Sequence, residues 1–141
     1  MQGEAQRTDR PSKESHNHDR LFPIFLDETN HRLFVGCRNP AKLLVYDYAT
    51  LLGQLVATIP ISHDTDDLFY DAASKCIYVS CGRGTIDVVR QQDANHYSIA
   101  RRIPTATGAR TSLFLPELRI LCVAVPHRDG QAAEVLIFRA R

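Results

Sequence analysis

The sequence predicts an all-β protein: a partial β-propeller of about three four-stranded antiparallel blades, the third incomplete. Three observations predict it. Segments of like pattern recur every 44 residues, each segment is a short β-rich run bounded by turn residues, and no window holds a sustained helical period. Leu33-Phe34-Val35-Gly36, Ile77-Tyr78-Val79-Ser80 and Leu121-Cys122-Val123-Ala124 set the period. A helical solenoid would need amphipathic helices, and a β-sandwich would not repeat its sequence at fixed spacing. Small four-stranded sheets, apolar on both faces, need a neighbour on each side, as propeller blades do.

Within each repeat the strands follow in order. The first begins with Phe25-Leu26-Asp27, Phe69-Tyr70-Asp71 or Leu113-Phe114-Leu115, and a short polar turn leads to the second, period-setting run. Leu44-Val45-Tyr46, Ile86-Asp87-Val88-Val89 and Val135-Leu136-Ile137-Phe138 supply the third. Fourth runs occupy 54–59 and 96–103, followed by Pro60 and Pro104, and none is recognisable after Phe138. Val, Ile, Tyr and Phe suit a pleated, half-buried surface, and Asn, Asp, Gly, Ser and Pro mark the turns. The blades are expected at 22–61, 66–105 and 110–139. A polar, disordered tail is expected over 1–20.

Composition narrows the function. The 141 residues suit one domain, and 17 basic against 16 acidic residues leave a net charge of +1, so no global field draws in nucleic acid or an anionic membrane. No apolar run approaches the roughly 18 residues a membrane helix needs. The first twenty residues lack a secretory apolar region. Cys37, Cys76, Cys81 and Cys122 match no zinc or thioredoxin spacing. They read as small buried hydrophobes. The alternative is a Cys37–Cys81 disulfide or thiol pair, since these two hold one repeat position and could face each other between blades.

Leu33-Phe34-Val35-Gly36-Cys37-Arg38, Val45-Tyr46-Asp47, 64–71, Ile77–Gly82, 107–114 and Ala124-Val125-Pro126 together resemble the bacterial YVTN, or YncE-like, β-propeller repeat family, over roughly Phe22 to Phe138. The resemblance implies a seven-bladed ring in a full-length member, and frequent export. For function it implies only alternatives, the propeller portion of a quinoprotein-like redox enzyme or a nucleic-acid-binding propeller, whereas the residues themselves, which show no catalytic constellation, point to a non-catalytic scaffold or binding module. Two turns depart from the family pattern. The turn over 47–53 gains Leu51 and Leu52, and Leu118-Arg119-Ile120 replaces a turn with glycine, the residue that most easily takes positive φ. Three blades also fall short of a ring. Apolar faces on the first and last sheets predict self-association or completion by further blades, with Met1–Leu21 a weak candidate to lend a strand.

The channel mouth is the expected site. First strands start and second strands end on the same side of a blade, which gathers Arg38, Asp66, Asp67, Arg83 and Arg110 there, with Lys42, Thr111 and His127 or Arg128 nearby. Asp66 and Arg110 share one repeat position with opposite charge. That predicts an inter-blade salt bridge, with convergence of Arg38, Arg83 and Arg110 on an anionic group as the ligand-binding alternative. No metal is expected. His16-Asn17-His18 offers too few ligands, and Asp64, Asp66 and Asp67 do not follow the EF-hand spacing. Gly82-Arg83-Gly84 reads as a hairpin turn, since no helix follows it as a phosphate loop requires. No nucleophile is tied by spacing to a histidine and a carboxylate, so no catalytic residues and no cofactor are expected. Phe34, Tyr46, Phe69, Tyr78 and Phe114 fall at core strand positions, which disfavours stacking on nucleic-acid bases.

Overall fold

Short runs rich in Val, Ile, Leu, Tyr and Phe, separated by turn residues, lay the chain into eleven strands in a computed structural model that describes residues 21–50 and 53–141. The strands are β1 (Leu21–Asp27), β2 (Arg32–Arg38), β3 (Ala41–Asp47), β4 (Gln54–Pro60), β5 (Thr65–Asp71), β6 (Cys76–Cys81), β7 (Thr85–Asp93), β8 (His96–Pro104), β9 (Thr111–Leu115), β10 (Ile120–Val125) and β11 (Glu134–Arg139). No helix forms among the described residues. The strands build three antiparallel meanders: sheet 1 from β1 to β4, sheet 2 from β5 to β8, and sheet 3 from β9 to β11. The third lacks a fourth strand among the described residues. The expected tail over 1–20, the strand lent by Met1–Leu21 and the Leu51-Leu52 insertion lie outside the described residues or extend beyond them.

The sheets stack face to face with sheet 2 in the middle. Phe34, Val45 and Ile59 of sheet 1 meet Leu68, Ile77 and Val79 of sheet 2 in one core. On the other face, Tyr78, Ile86 and Val88 meet Phe114, Leu121 and Val123 of sheet 3 in a second. All six residues of β6 are therefore buried, which no strand in a two-layer protein with a wet face would be. First strands lie side by side, β1 against β5 and β5 against β9.

The sequence repeat returns as a repeated contact. The ring of Phe34 lies 5.4 Å from that of Tyr70, and the residues 44 positions on, Tyr78 and Phe114, lie 5.3 Å apart in a similar tilted pose. Such pairs contribute about 1 kcal/mol beyond the area they bury. The backbone repeats too. His31, Lys75 and Arg119, one per repeat, take φ of 54°, 52° and 56° at the turn between first and second strands.

That corrects one expectation. The turn at Leu118-Arg119-Ile120 does reach positive φ, with Arg119 in the place expected to need glycine. The Arg119 N–H donates to the carbonyl of Pro116, and its guanidinium is anchored on sheet 2, so tertiary contacts hold the conformation. The Cys37–Cys81 disulfide is corrected as well. Cys81 lies in the core between sheets 1 and 2, whereas Cys37 alternates with Phe34 and so sits on the far face of sheet 1. One repeat position puts both thiols on the same side of their own sheets. They point in one direction instead of at each other, and each thiol donates to a carbonyl two residues away along the chain, Asn39 and Val79.

Candidate functional site

Second-strand ends and first-strand starts gather at one end of the stack, and the expected charged residues lie there. Arg38, at the end of β2, reaches forward to sheet 2. Its Nε donates to the Thr65 carbonyl at 2.7 Å and its Nη2 to Asp66 at 2.7 Å, with Nη1 3.8 Å from Asp64. Arg110, beside the start of β9, reaches back: its Nη1 donates to Asp64 Oδ2 at 2.6 Å. Two arginines from sheets 1 and 3 thus converge on carboxylates of sheet 2. Half-exposed pairs of this kind contribute less than about 1 kcal/mol each, but they fix the lateral register of the sheets.

The pairing differs in one respect from the expected salt bridge. Asp66 takes Arg38, and Arg110 takes Asp64, a residue that the sequence offered only within an acidic cluster lacking EF-hand spacing. Asp64 occupies the turn before β5 with φ of 65°, and its repeat counterpart before β9 is Gly108 with φ of 84°. The left-handed backbone swings the Asp64 carboxylate toward Arg110. Beneath it Gly82 leaves the room: a Cβ there would lie 2.0 Å from Asp64 Oδ2. The Gly82 N–H donates to the Asp64 carbonyl and the Gly108 N–H to the Gly82 carbonyl, each at 2.7 Å, which stitches all three turns together.

Asp67 serves a different purpose. Its carboxylate accepts the Ser112 backbone N–H at 2.7 Å across to sheet 3, while burial raises its pKa against the lowering effect of that bond. Arg83 is exposed at the tip of the Gly82-Arg83-Gly84 hairpin and is not drawn into the Arg38–Asp66 cluster. The structure therefore gathers Arg38, Asp66 and Arg110 around Asp64, and leaves Arg83 and Asp67 apart. With Arg38 and Arg110 on Asp64 and Asp66, and Asp67 on a backbone amide, the acidic cluster is held by the protein's own donors. Among the described residues no group of three or more His, Cys, Asp or Glu could hold a metal ion.

The opposite end of the stack holds polar links that the sequence did not flag. Asp27, at the end of β1, accepts from Gln91 Nε2 of sheet 2 at 2.9 Å, and Gln91 also joins Tyr70 and Tyr97. Arg32 bonds the Ala94 carbonyl and Asn95 in the β7–β8 turn at 2.8 and 2.7 Å. Asp71, one repeat after Asp27, accepts from Arg119 of sheet 3. Back at the first end, near the start of β7, buried Asp87 accepts from Ser62 N and Oγ and ties the linker between sheets 1 and 2 to that strand. The missed signal was the repeat itself, since Asp27 and Asp71 close equivalent strands.

Apolar surface lies outside both cores. Ile24 and Leu26 on the far face of sheet 1, and Leu113, Val135 and Ile137 on the far face of sheet 3, are 43 to 66% exposed. A groove of about 700 Å³ runs along β1, lined by Ile24, Leu26, Leu33, Tyr70 and Ala72. No protein-family model matches the chain, and no curated protein matches it.

Proposed function

We propose that this chain is a non-catalytic scaffold or binding module made of β-propeller blades, completed on its two outer faces by self-association or by further blades. The observation that carries the reading is the contrast between the sheets. Sheet 2 packs both faces into the two cores, whereas sheets 1 and 3 each give one face to a core and turn Ile24, Leu26, Leu113, Val135 and Ile137 outward on the other. An apolar sheet face of this extent is a contact surface. First strands lying side by side in the stack support a propeller, as does the similarity of the repeats to the YVTN family. Arg38, Asp66 and Arg110 then act as struts between blades at the channel mouth.

Sedimentation velocity over a hundredfold concentration range tests the proposal, alongside binding of an apolar-surface dye. The protein should associate as concentration rises. Ile24→Lys and Ile137→Lys, both at exposed positions, should each reduce association and dye binding without lowering the unfolding midpoint. A strictly monomeric protein that binds no dye would overturn the reading.

A further inference from the structure

The open edge of sheet 3 has a groove behind it that two other strands in the same chain show how to fill. Strand register gives the correspondence. Phe34, Val45 and Ala57 stand opposite one another across sheet 1, as Tyr78, Val88 and Arg101 do across sheet 2. On sheet 1 this row receives β8, the fourth strand of the next sheet, whose Tyr97 and Ile99 pack into the core, with the Tyr97 ring 5.9 Å from that of Phe34. The matching row on sheet 2 lines a groove of about 330 Å³ instead, walled by Cys76, Tyr78, Val88 and Ala100 and rimmed by Arg90, Arg101 and Arg141. No fourth strand of sheet 3 covers it among the described residues.

The edge beside the groove is built for pairing. Ala140 N–H donates to the Arg119 carbonyl, so by the alternation of an antiparallel ladder Leu136 and Phe138 bond toward β10. Val135, Ile137 and Arg139 then turn their N–H and C=O groups to the open side. Edges are commonly blunted by bulges, proline or charge. The fourth strands of the complete sheets show this: the β3–β4 ladder carries a register shift and β4 ends in Pro60, while β8 carries two shifts and exposed Arg101 and Arg102. By contrast β11 pairs with β10 through six consecutive residues without a shift, and its centre is Val-Leu-Ile-Phe.

Charge selects the occupant. Arg90 stands where sheet 1 has Asp47, and Arg101 stands where it has Ala57. Among the described residues no carboxylate forms an ion pair with Arg90, Arg101 or Arg141. We propose that β11 and this groove receive an extended segment of a partner protein, which adds as the fourth strand of sheet 3. It directs an aromatic or branched side chain into the groove and carboxylates to the three arginines. This mode of recognition combines main-chain bonds for affinity with alternate side chains for specificity. It rests on the reading of the chain as a binding scaffold and names where and what it binds.

Fluorescence anisotropy with fluorescein-labelled nonapeptides on the full chain tests it. The probes are a peptide alternating isoleucine with glutamate, its lysine counterpart, and the glutamate peptide with alternate backbone amides methylated. The glutamate peptide should bind, and the other two should bind at least about tenfold more weakly. Hydrogen exchange should slow at Val135, Ile137 and Arg139 when it binds. Arg90→Glu and Arg101→Glu, both at exposed positions, should each weaken binding about tenfold with the unfolding midpoint unchanged. Absence of binding, equal binding of the lysine peptide, unprotected β11 amides, or protection that rises with protein concentration without peptide would each overturn the proposal; the last would give the edge to a second copy. Ile24→Lys, which tests association through sheet 1, should leave peptide binding intact, so the two proposals fail separately.

Discussion

The Asp71 carboxylate, 2% exposed at the end of sheet 2, is held by the guanidinium of Arg119 at the hairpin tip of sheet 3. Ser74 Oγ and Tyr78 Oη donate to the same carboxylate. Burial alone would raise the Asp71 pKa, but the bonds from Arg119, Ser74 and Tyr78 outweigh it and hold the group below its ordinary value of 3.8. Arg119 therefore has two tasks, a left-handed turn and a charge for a buried acid. Arg119→Ala should lower stability in urea denaturation, because it leaves the buried Asp71 carboxylate without its counter-charge. Arg119→Gly should cost about 1 kcal/mol less than the alanine variant, since glycine accepts positive φ. Equal loss in the two variants would show that the turn carries no conformational cost.

Stability should also fall at alkaline pH, and Cys81 is the reason. Burial first, then the charge of Asp87, pushes its thiol from 9.0 up to about 12. A group whose folded pKa is raised binds its proton more tightly in the folded state. Its contribution is complete below pH 9 and is lost as pH climbs from 9 toward 12. Tyr70, raised from 10.0 to about 12 mainly by burial and then by Asp27, acts in the same direction over the upper part of that window. Unfolding midpoints between pH 8 and 11 should therefore drop, and Cys81→Ala should flatten the slope while lowering stability at pH 7. An unchanged slope in that variant would assign the alkaline loss elsewhere.

Much of the fold was legible in the sequence because the repeat makes each strand testify for two others. The runs at Phe34, Tyr78 and Cys122 all became second strands, and among the described residues the third sheet has three strands, in keeping with the lack of a recognisable run after Phe138. Positive φ at Arg119 was not legible from its own neighbours, where propensity favours glycine. It was present in the period: His31, Lys75 and Arg119 are 44 residues apart, and all three carry long polar side chains. The candidate site was half legible. Arg38, Asp66 and Arg110 were brought together, but spacing could not say which acid each arginine takes, because that depends on the backbone at Asp64. The groove beside β11 could not be read at all, since it lies where sheet 3, among the described residues, lacks the strand that its neighbours have.

Gly82 marks a place where the repeat had to change residue. Its counterpart in sheet 1, Arg38, sends a side chain forward, whereas at Gly82 the Asp64 side chain fills that space: a new Cβ would meet Oδ2 at 2.0 Å, Cγ at 2.8 Å and Cβ at 3.2 Å. The last of these is close to backbone and cannot swing aside. Gly82→Ala should push Asp64 off Arg110 and cost about 1–3 kcal/mol, as overpacking does. Thermal unfolding measures the cost. In Gly82→Ala, further substitution of Arg110 by Met should cost almost nothing, because the pair is already broken.

Asp64 allows its backbone and its charge to be separated. The residue takes φ of 65° where the next repeat uses Gly108, and its carboxylate lies 2.6 Å from Arg110 and 3.8 Å from Arg38. Asp64→Gly removes the charge and relaxes the backbone. Asp64→Ala removes the same charge and keeps the strained turn, so it should be less stable than the glycine variant by about 1 kcal/mol. Salt distinguishes the two terms. The gap between the native protein and Asp64→Gly is Coulombic in part and should narrow as sodium chloride rises to about 1 M, where the screening length shrinks to about 3 Å. The gap between the glycine and alanine variants is conformational and should stay constant. If salt narrowed both gaps equally, the turn before β5 would owe its shape to the arginines and not to the backbone.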